Sequence, residues 1–113
     1  MVKIDAVAYG EMVIEGRTYY SDLVVWCEGK PALLEKTHLI DLSLLEKIMK
    51  KKPETVVIGI GLEGTVKIDP KVRERLKKEK IGLFIDKTEN AVEIFNAFVS
   101  QGKKVVGIMH VTL

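Results

Sequence analysis

A chain of 113 residues supports one continuous core and is too short for two of ordinary size. With 47% hydrophobic and 30% charged residues it has the apolar surface to offset its ordering entropy, which favours a packed globule over a disordered chain. Its 18 basic residues nearly cancel 16 acidic ones, and a formal net charge of +2 makes no field that would gather a polyanion, so nucleic acid is not an expected partner.

From the N-terminus, Val2, Ile4 and Ala6 alternate with polar or small residues, the pattern of a strand with one buried face that ends at Tyr9-Gly10. Met12 to Ile14 and Arg17 to Tyr20 flank Glu15-Gly16, where glycine permits the positive φ of a tight hairpin. Leu23 to Trp26 is a further strand, closed by the turn residues Glu28-Gly29-Lys30-Pro31. This first part reads as mainly antiparallel. Ser43-Leu44-Leu45-Glu46 matches a capping box and predicts a short helix to about Lys51, with Pro53 as its stop.

From Thr55 the texture changes. Thr55-Val56-Val57-Ile58 is a continuous β-branched run, as in a strand covered on both faces. Thr65 to Ile68 alternates like a strand, and Asp69-Pro70 then supplies an N-cap with proline at the first helical position. Val72 and Leu76 give that helix a narrow apolar stripe, to about Lys80. Ile81 to Ile85 reads as another buried strand, and Thr88 as the cap of a helix carrying Ala91, Val92, Ile94, Phe95, Phe98 and Val99. Gln101-Gly102 ends it before a last strand within Lys103 to Val111. The order strand-helix-strand-helix-strand over residues 55–111 favours parallel strands with helical crossovers. One α/β domain spanning 1–113 is expected, with an antiparallel N-terminal hairpin region and a βαβαβ C-terminal part.

Gly59-Ile60-Gly61-Leu62-Glu63-Gly64 spells G-x-G-x-x-G after a buried strand, with Asp86 at the distance of a ribose-binding acid. The dinucleotide mechanism needs a helix to begin at the third glycine, whereas here the helix waits until Pro70. The glycines therefore read first as turn residues. Amides exposed beyond parallel strand ends can also hold a carboxylate or phosphate, which makes this loop a candidate anion-binding crevice. An enzyme reading gathers Glu63, Thr88, Asn96 and His110 there as acid, hydroxyl, amide and base. No complete catalytic set is recognisable, and no cofactor is implied.

His110 and His38 lack partners at metal-ligand spacing, so no metal site is predicted. Cys27 is the single cysteine; it excludes an internal disulfide, points to a reducing compartment, and reads as a buried inert thiol. Lys51-Lys52, Lys77-Lys78 and Lys103-Lys104 read as solvated helix ends and loops. No apolar run approaches the ~18 residues of a membrane-spanning helix, which leaves the cytoplasm as the expected location. One glutamine and two asparagines among many Lys and Glu resemble the composition of proteins from hot environments.

Tyr9-Gly10, Ile14 and Gly16, Tyr19 and Asp22, Trp26, Gly59-Ile60-Gly61, Thr88-Glu89-Asn90-Ala91, Phe95-Asn96 and His110 together resemble the Mth-type domain family over nearly the whole chain. That family includes archaeal and bacterial proteins of unknown function, an adipogenesis-associated protein and a mitochondrial complex I assembly factor. The resemblance implies a compact three-layer α/β domain with a mixed central sheet and no established enzymatic activity. Ile60 departs from the threonine the family often has between the glycines, and Lys103-Lys104 from a common arginine, so any ligand contact at the loop falls to backbone amides. The expectation is a non-catalytic binding or assembly module, with Gly59, Gly61, Glu63, Gly64, Thr88, Asn96 and His110 around its crevice. A protein partner or a homodimer is compatible with it. The alternatives are a small enzyme at the same crevice or a dinucleotide-binding protein.

Overall fold

A computed structural model of the chain describes residues 1–35 and 39–113. The N-terminal alternation forms β1 (Ile4–Ala8), β2 (Glu11–Ile14) and β3 (Arg17–Tyr19), an antiparallel three-stranded sheet. The expected hairpin is present, with Glu15 at φ 51° and Gly16 at φ 79°, the pair of left-handed residues that matches strand twist in a two-residue turn. There follow β4 (Leu23–Trp26), the two-residue strands β5 (Ala32–Leu33) and β6 (Leu39–Ile40), and helix α1 (Leu42–Met49). The second half comprises β7 (Thr55–Gly59), β8 (Lys67–Ile68), α2 (Pro70–Lys78), β9 (Gly82–Asp86), α3 (Thr88–Ser100) and β10 (Val105–Met109).

The central sheet runs β5-β4-β10-β7-β9. β10, β7 and β9 are parallel, while β4 joins β10 antiparallel and β5 joins β4 antiparallel. The sheet is thus mixed, as the two halves of the sequence suggest. β6 and β8 form a separate parallel pair; β8 lies within the alternating segment Thr65 to Ile68, whereas the two residues of β6 carry no readable period.

Alternation along the central strands sorts the core into two layers. On one face Leu23, Val25, Val57, Val105 and Met109 pack against α3 and against Ile4, Met12 and Ile14 of the small sheet. On the other, Val24, Val56, Ile58, Val106 and Ile108 pack against Leu45 and Ile48 of α1 and Val72 and Leu76 of α2. The result is a three-layer α/β domain. β7 and β10 are buried at every residue, which explains their unbroken Val and Ile runs.

Two polar devices tie elements together within the outer layers. Asn96 on α3 clamps the backbone of Ile4, accepting from its N–H at 2.9 Å and donating to its carbonyl at 2.8 Å, as a neighbouring strand would. Across the other layer Arg75 of α2 pairs with Glu46 of α1 and with Glu79. The hydrogen bond to Glu46, then that to Glu79, holds the guanidinium pKa above its ordinary value.

Two expectations are corrected. The segment Ile81 to Ile85 is not buried: β9 is the outermost strand, and Phe84 is 42% exposed beside Phe98 of α3. An apolar run signals a strand without revealing whether it has one neighbour or two. The cap of α1 is Asp41, whose Oδ1 accepts from the Leu44 amide at 3.0 Å. The helix begins at Leu42, so Ser43 already lies inside its first turn and cannot cap it. Asp41→Ala is therefore expected to cost about 1 kcal/mol of stability, and Ser43→Ala less than about 0.5 kcal/mol, in parallel urea titrations; equal costs would restore the serine cap.

Candidate functional site

The parallel strands β7 and β10 finish at the same edge of the sheet, and the chain leaving each one meets the start of α3. Thr88 there makes three bonds. Its amide donates to the Gly61 carbonyl at 3.1 Å, its Oγ1 accepts from the Gly61 amide at 3.0 Å, and the hydroxyl proton goes to the His110 carbonyl at 2.6 Å. His110 in turn donates its amide to the Gly59 carbonyl at 3.1 Å, and its ring Nδ1 lies 3.1 Å from the same oxygen. A carbonyl only accepts, so Nδ1 carries the proton. Thr88 is fully buried and His110 is 2% exposed.

Glycine is required at two points of this knot. A Cβ on Gly59 would stand 2.8 Å from Thr88 Oγ1 and 3.0 Å from Thr88 Cα, so it would hold the helix off the strand. Gly61 has φ +99°, and a Cβ there would lie 2.2 Å from the Leu113 main-chain oxygen. These are close-approach glycines. The loop amides beyond them also donate within the chain: Leu62 to the Thr112 oxygen at 2.8 Å, and Glu63 and Thr65 to the Leu113 oxygen at 3.2 Å each.

Of the seven residues expected around the crevice, the structure unites Gly59, Gly61, Thr88 and His110. Glu63 is exposed and Gly64 half-buried, further along the loop. Asn96 is elsewhere: eight residues along α3 place it roughly 12 Å from Thr88 by helical rise, where it serves Ile4. With Asn96 that far away, the acid, hydroxyl, amide and base of the enzyme reading do not share one hydrogen-bonded site. Thr88 is not the side-chain cap of α3. The N-cap residue of this helix is Lys87, with no side-chain cap bond; just before it the Asp86 Oδ1 accepts from the Lys87 amide at 2.7 Å and from Asn90 Nδ2 at 3.1 Å, which commits the acid proposed for a ribose. His38 lies outside the described residues.

Sequence reasoning passed over two features. Asp22 is a buried acid whose Oδ1 accepts from the Val111 amide at 2.8 Å; a lone aspartate before a strand gives no hint of a partner 89 residues away. The second is a cavity of about 460 Å³ at the opposite end of the sheet, beside Trp26. Cys27 lines it and is half-exposed, not buried. The pair Lys103-Lys104 was the available signal.

A family model described as a protein of unknown function (DUF498/DUF598) matches residues 4–110. Among solved structures, a conserved hypothetical protein of Pyrococcus horikoshii OT3, PH1505, is 21% identical with a TM-score of 0.88, covering 98% of this chain and 99% of that one. A protein called MT938 is 24% identical with a TM-score of 0.83 and full coverage of both chains, 100% of each. A Bordetella pertussis protein described as an Mth938-like domain is 15% identical with a TM-score of 0.73, covering 96% of this chain and 85% of that one. At these identities the likeness carries the fold.

Thr88→Val keeps the shape of the side chain and strips both the His110 carbonyl and the Gly61 amide of their partner, at an expected cost of about 2–4 kcal/mol. Gly61→Ala adds strain and a backbone clash, an expected loss of about 3 kcal/mol or more. Urea unfolding of the two variants checks both; losses under about 1 kcal/mol would mean that the knot is not what holds α3 to the sheet.

Proposed function

We propose that this chain, which belongs to the family of proteins of unknown function DUF498/DUF598, is a non-catalytic binding or assembly module. One observation carries the reading: the polar groups most suited to chemistry are spent on holding the chain together. The Thr88 hydroxyl both donates and accepts within the knot, and the Asn96 amide is used on both sides by Ile4. A general base or nucleophile must reach a substrate proton or carbon, and using either group so would break a buried bond. The half-exposed single cysteine fits a reducing cytoplasm, and no helix among the described residues is long and apolar enough to cross a membrane.

The anion-binding crevice expected at the glycine loop takes a specific form in this reading. The Glu63 and Thr65 amides already hold an oxygen, that of Leu113. A carboxylate or phosphate reaches them by competing with Leu113, with amide geometry suited to anions.

Native mass spectrometry of gently purified protein is the test, since one spectrum reports bound mass and subunit number. The expected result is a retained small molecule or protein partner whose mass stays unchanged on prolonged incubation. Conversion of a retained compound into a new product would overturn the non-catalytic reading. A bare monomer that also captures nothing on a column would count against binding.

A further inference from the structure

At the end of the central sheet away from the glycine loop, β4 terminates at Trp26 and β10 begins at Val105, with Trp26 paired across from Val106. The surrounding backbone is fixed. The Cys27 amide donates to the Val105 carbonyl at 3.2 Å, Val2 donates to the Cys27 carbonyl at 2.9 Å, and the Lys104 carbonyl accepts from Glu54 and Thr55 at 2.8 and 3.3 Å. The cleft between these segments has a volume of about 460 Å³, inside the roughly 300–1,000 Å³ span of small-ligand sites, and it does not have to be built by the ligand.

Its lining divides by chemistry. Trp26, Val99 and Val105 supply an apolar floor, while Lys51, Lys103 and Lys104 stand around it against a single acid, Glu28. The Lys51 ammonium lies 4.8 Å from the centroid of the Trp26 ring. Among the described residues, the ion pairs are those of Arg75 with Glu46 and Glu79, so the three lysines have no carboxylate partner there. With this positive charge uncompensated beside an apolar wall, an anion whose body covers that wall gains attraction and buries the ring. A net charge of only +2 makes this a local feature and not the footprint of a polyanion.

We propose that the Trp26 cleft binds a small amphipathic anion, its flat apolar body against the indole and its carboxylate, sulfonate or phosphate among Lys51, Lys103 and Lys104. The proposal rests on the binding role inferred above and gives that role a site and a ligand class. Unlike the glycine loop, where backbone amides already hold a main-chain oxygen, this site offers ammonium groups that no carboxylate among the described residues neutralises.

The chain has one tryptophan and one cysteine, and both line the cleft, so each reports on it without labelling. The probes are anilinonaphthalene sulfonate and its uncharged relative phenylnaphthylamine. We expect saturable energy transfer from Trp26 to the sulfonate, weakened by added salt, and slower alkylation of Cys27 by iodoacetamide when the sulfonate is bound. In the double variant Lys103→Glu, Lys104→Glu the sulfonate affinity should fall about tenfold or more, with circular dichroism confirming the fold and the uncharged probe unaffected. Equal sulfonate binding by the two proteins, or equal binding of the two probes, would overturn the anion assignment while leaving a binding surface in place. Failure of both probes to reach Trp26 would remove the site altogether and leave the general binding role to the mass spectrum.

Discussion

The Thr88 hydroxyl is the point on which the architecture turns. It lies where the ends of β7 and β10 and the start of α3 converge, and it joins all three through one donated and one accepted hydrogen bond. Buried polar groups are tolerated only when satisfied, so each partner constrains the others. The Gly61 amide needs Thr88, the His110 carbonyl needs Thr88, and Gly59 must lack a side chain for the helix to come close enough. The loop that looks like a ligand cradle in sequence is in this way the fastening of a helix to a sheet.

The same helix is fitted along its length. Gly107 lies under Phe95, where a Cβ would meet the ring at 3.1 Å, and Asn96 reaches sideways to hold β1. α3 is therefore seated by two glycines of the central sheet, one hydroxyl and one amide, with Ala91, Val92 and Val99 filling the spaces between. These features give the two ends of the sheet different characters. The carboxyl end of β7 is sealed by its own backbone, whereas the opposite end leaves an apolar floor and a ring of lysines in the open.

Much of this was legible in the residues. Period-two alternation and Glu15-Gly16 marked the hairpin, Asp69-Pro70 marked the start of α2, and the β-branched runs marked the buried strands, because each of these signals is local. What escaped depended on distant partners. Thr88 looks like a cap because threonine often caps, but it stands one residue past the N-cap Lys87, and its hydroxyl is drawn to the His110 carbonyl just beyond β10. Ile81 to Ile85 looks buried because composition records hydrophobicity and not sheet position. The two-residue strands β5 and β6 have no period to detect. Lys51 and Lys103-Lys104, read separately as solvated loops, meet at one cleft only through the crossover that brings β10 beside β4.

That crossover has a consequence for how the chain is made. β10 comes after every other element in the sequence, yet it occupies the middle of the central sheet, between β4 and β7, and all five of its residues are buried. During translation the earlier strands emerge with a vacant slot between them, and both core layers lack their central strand until residues 105–109 leave the ribosome. The hairpin and helices can form locally in that interval, but the packed domain arises in one late step. A chain that stops before residue 105 therefore has two unsatisfied strand edges, on β4 and β7, the kind of product that cellular quality control removes.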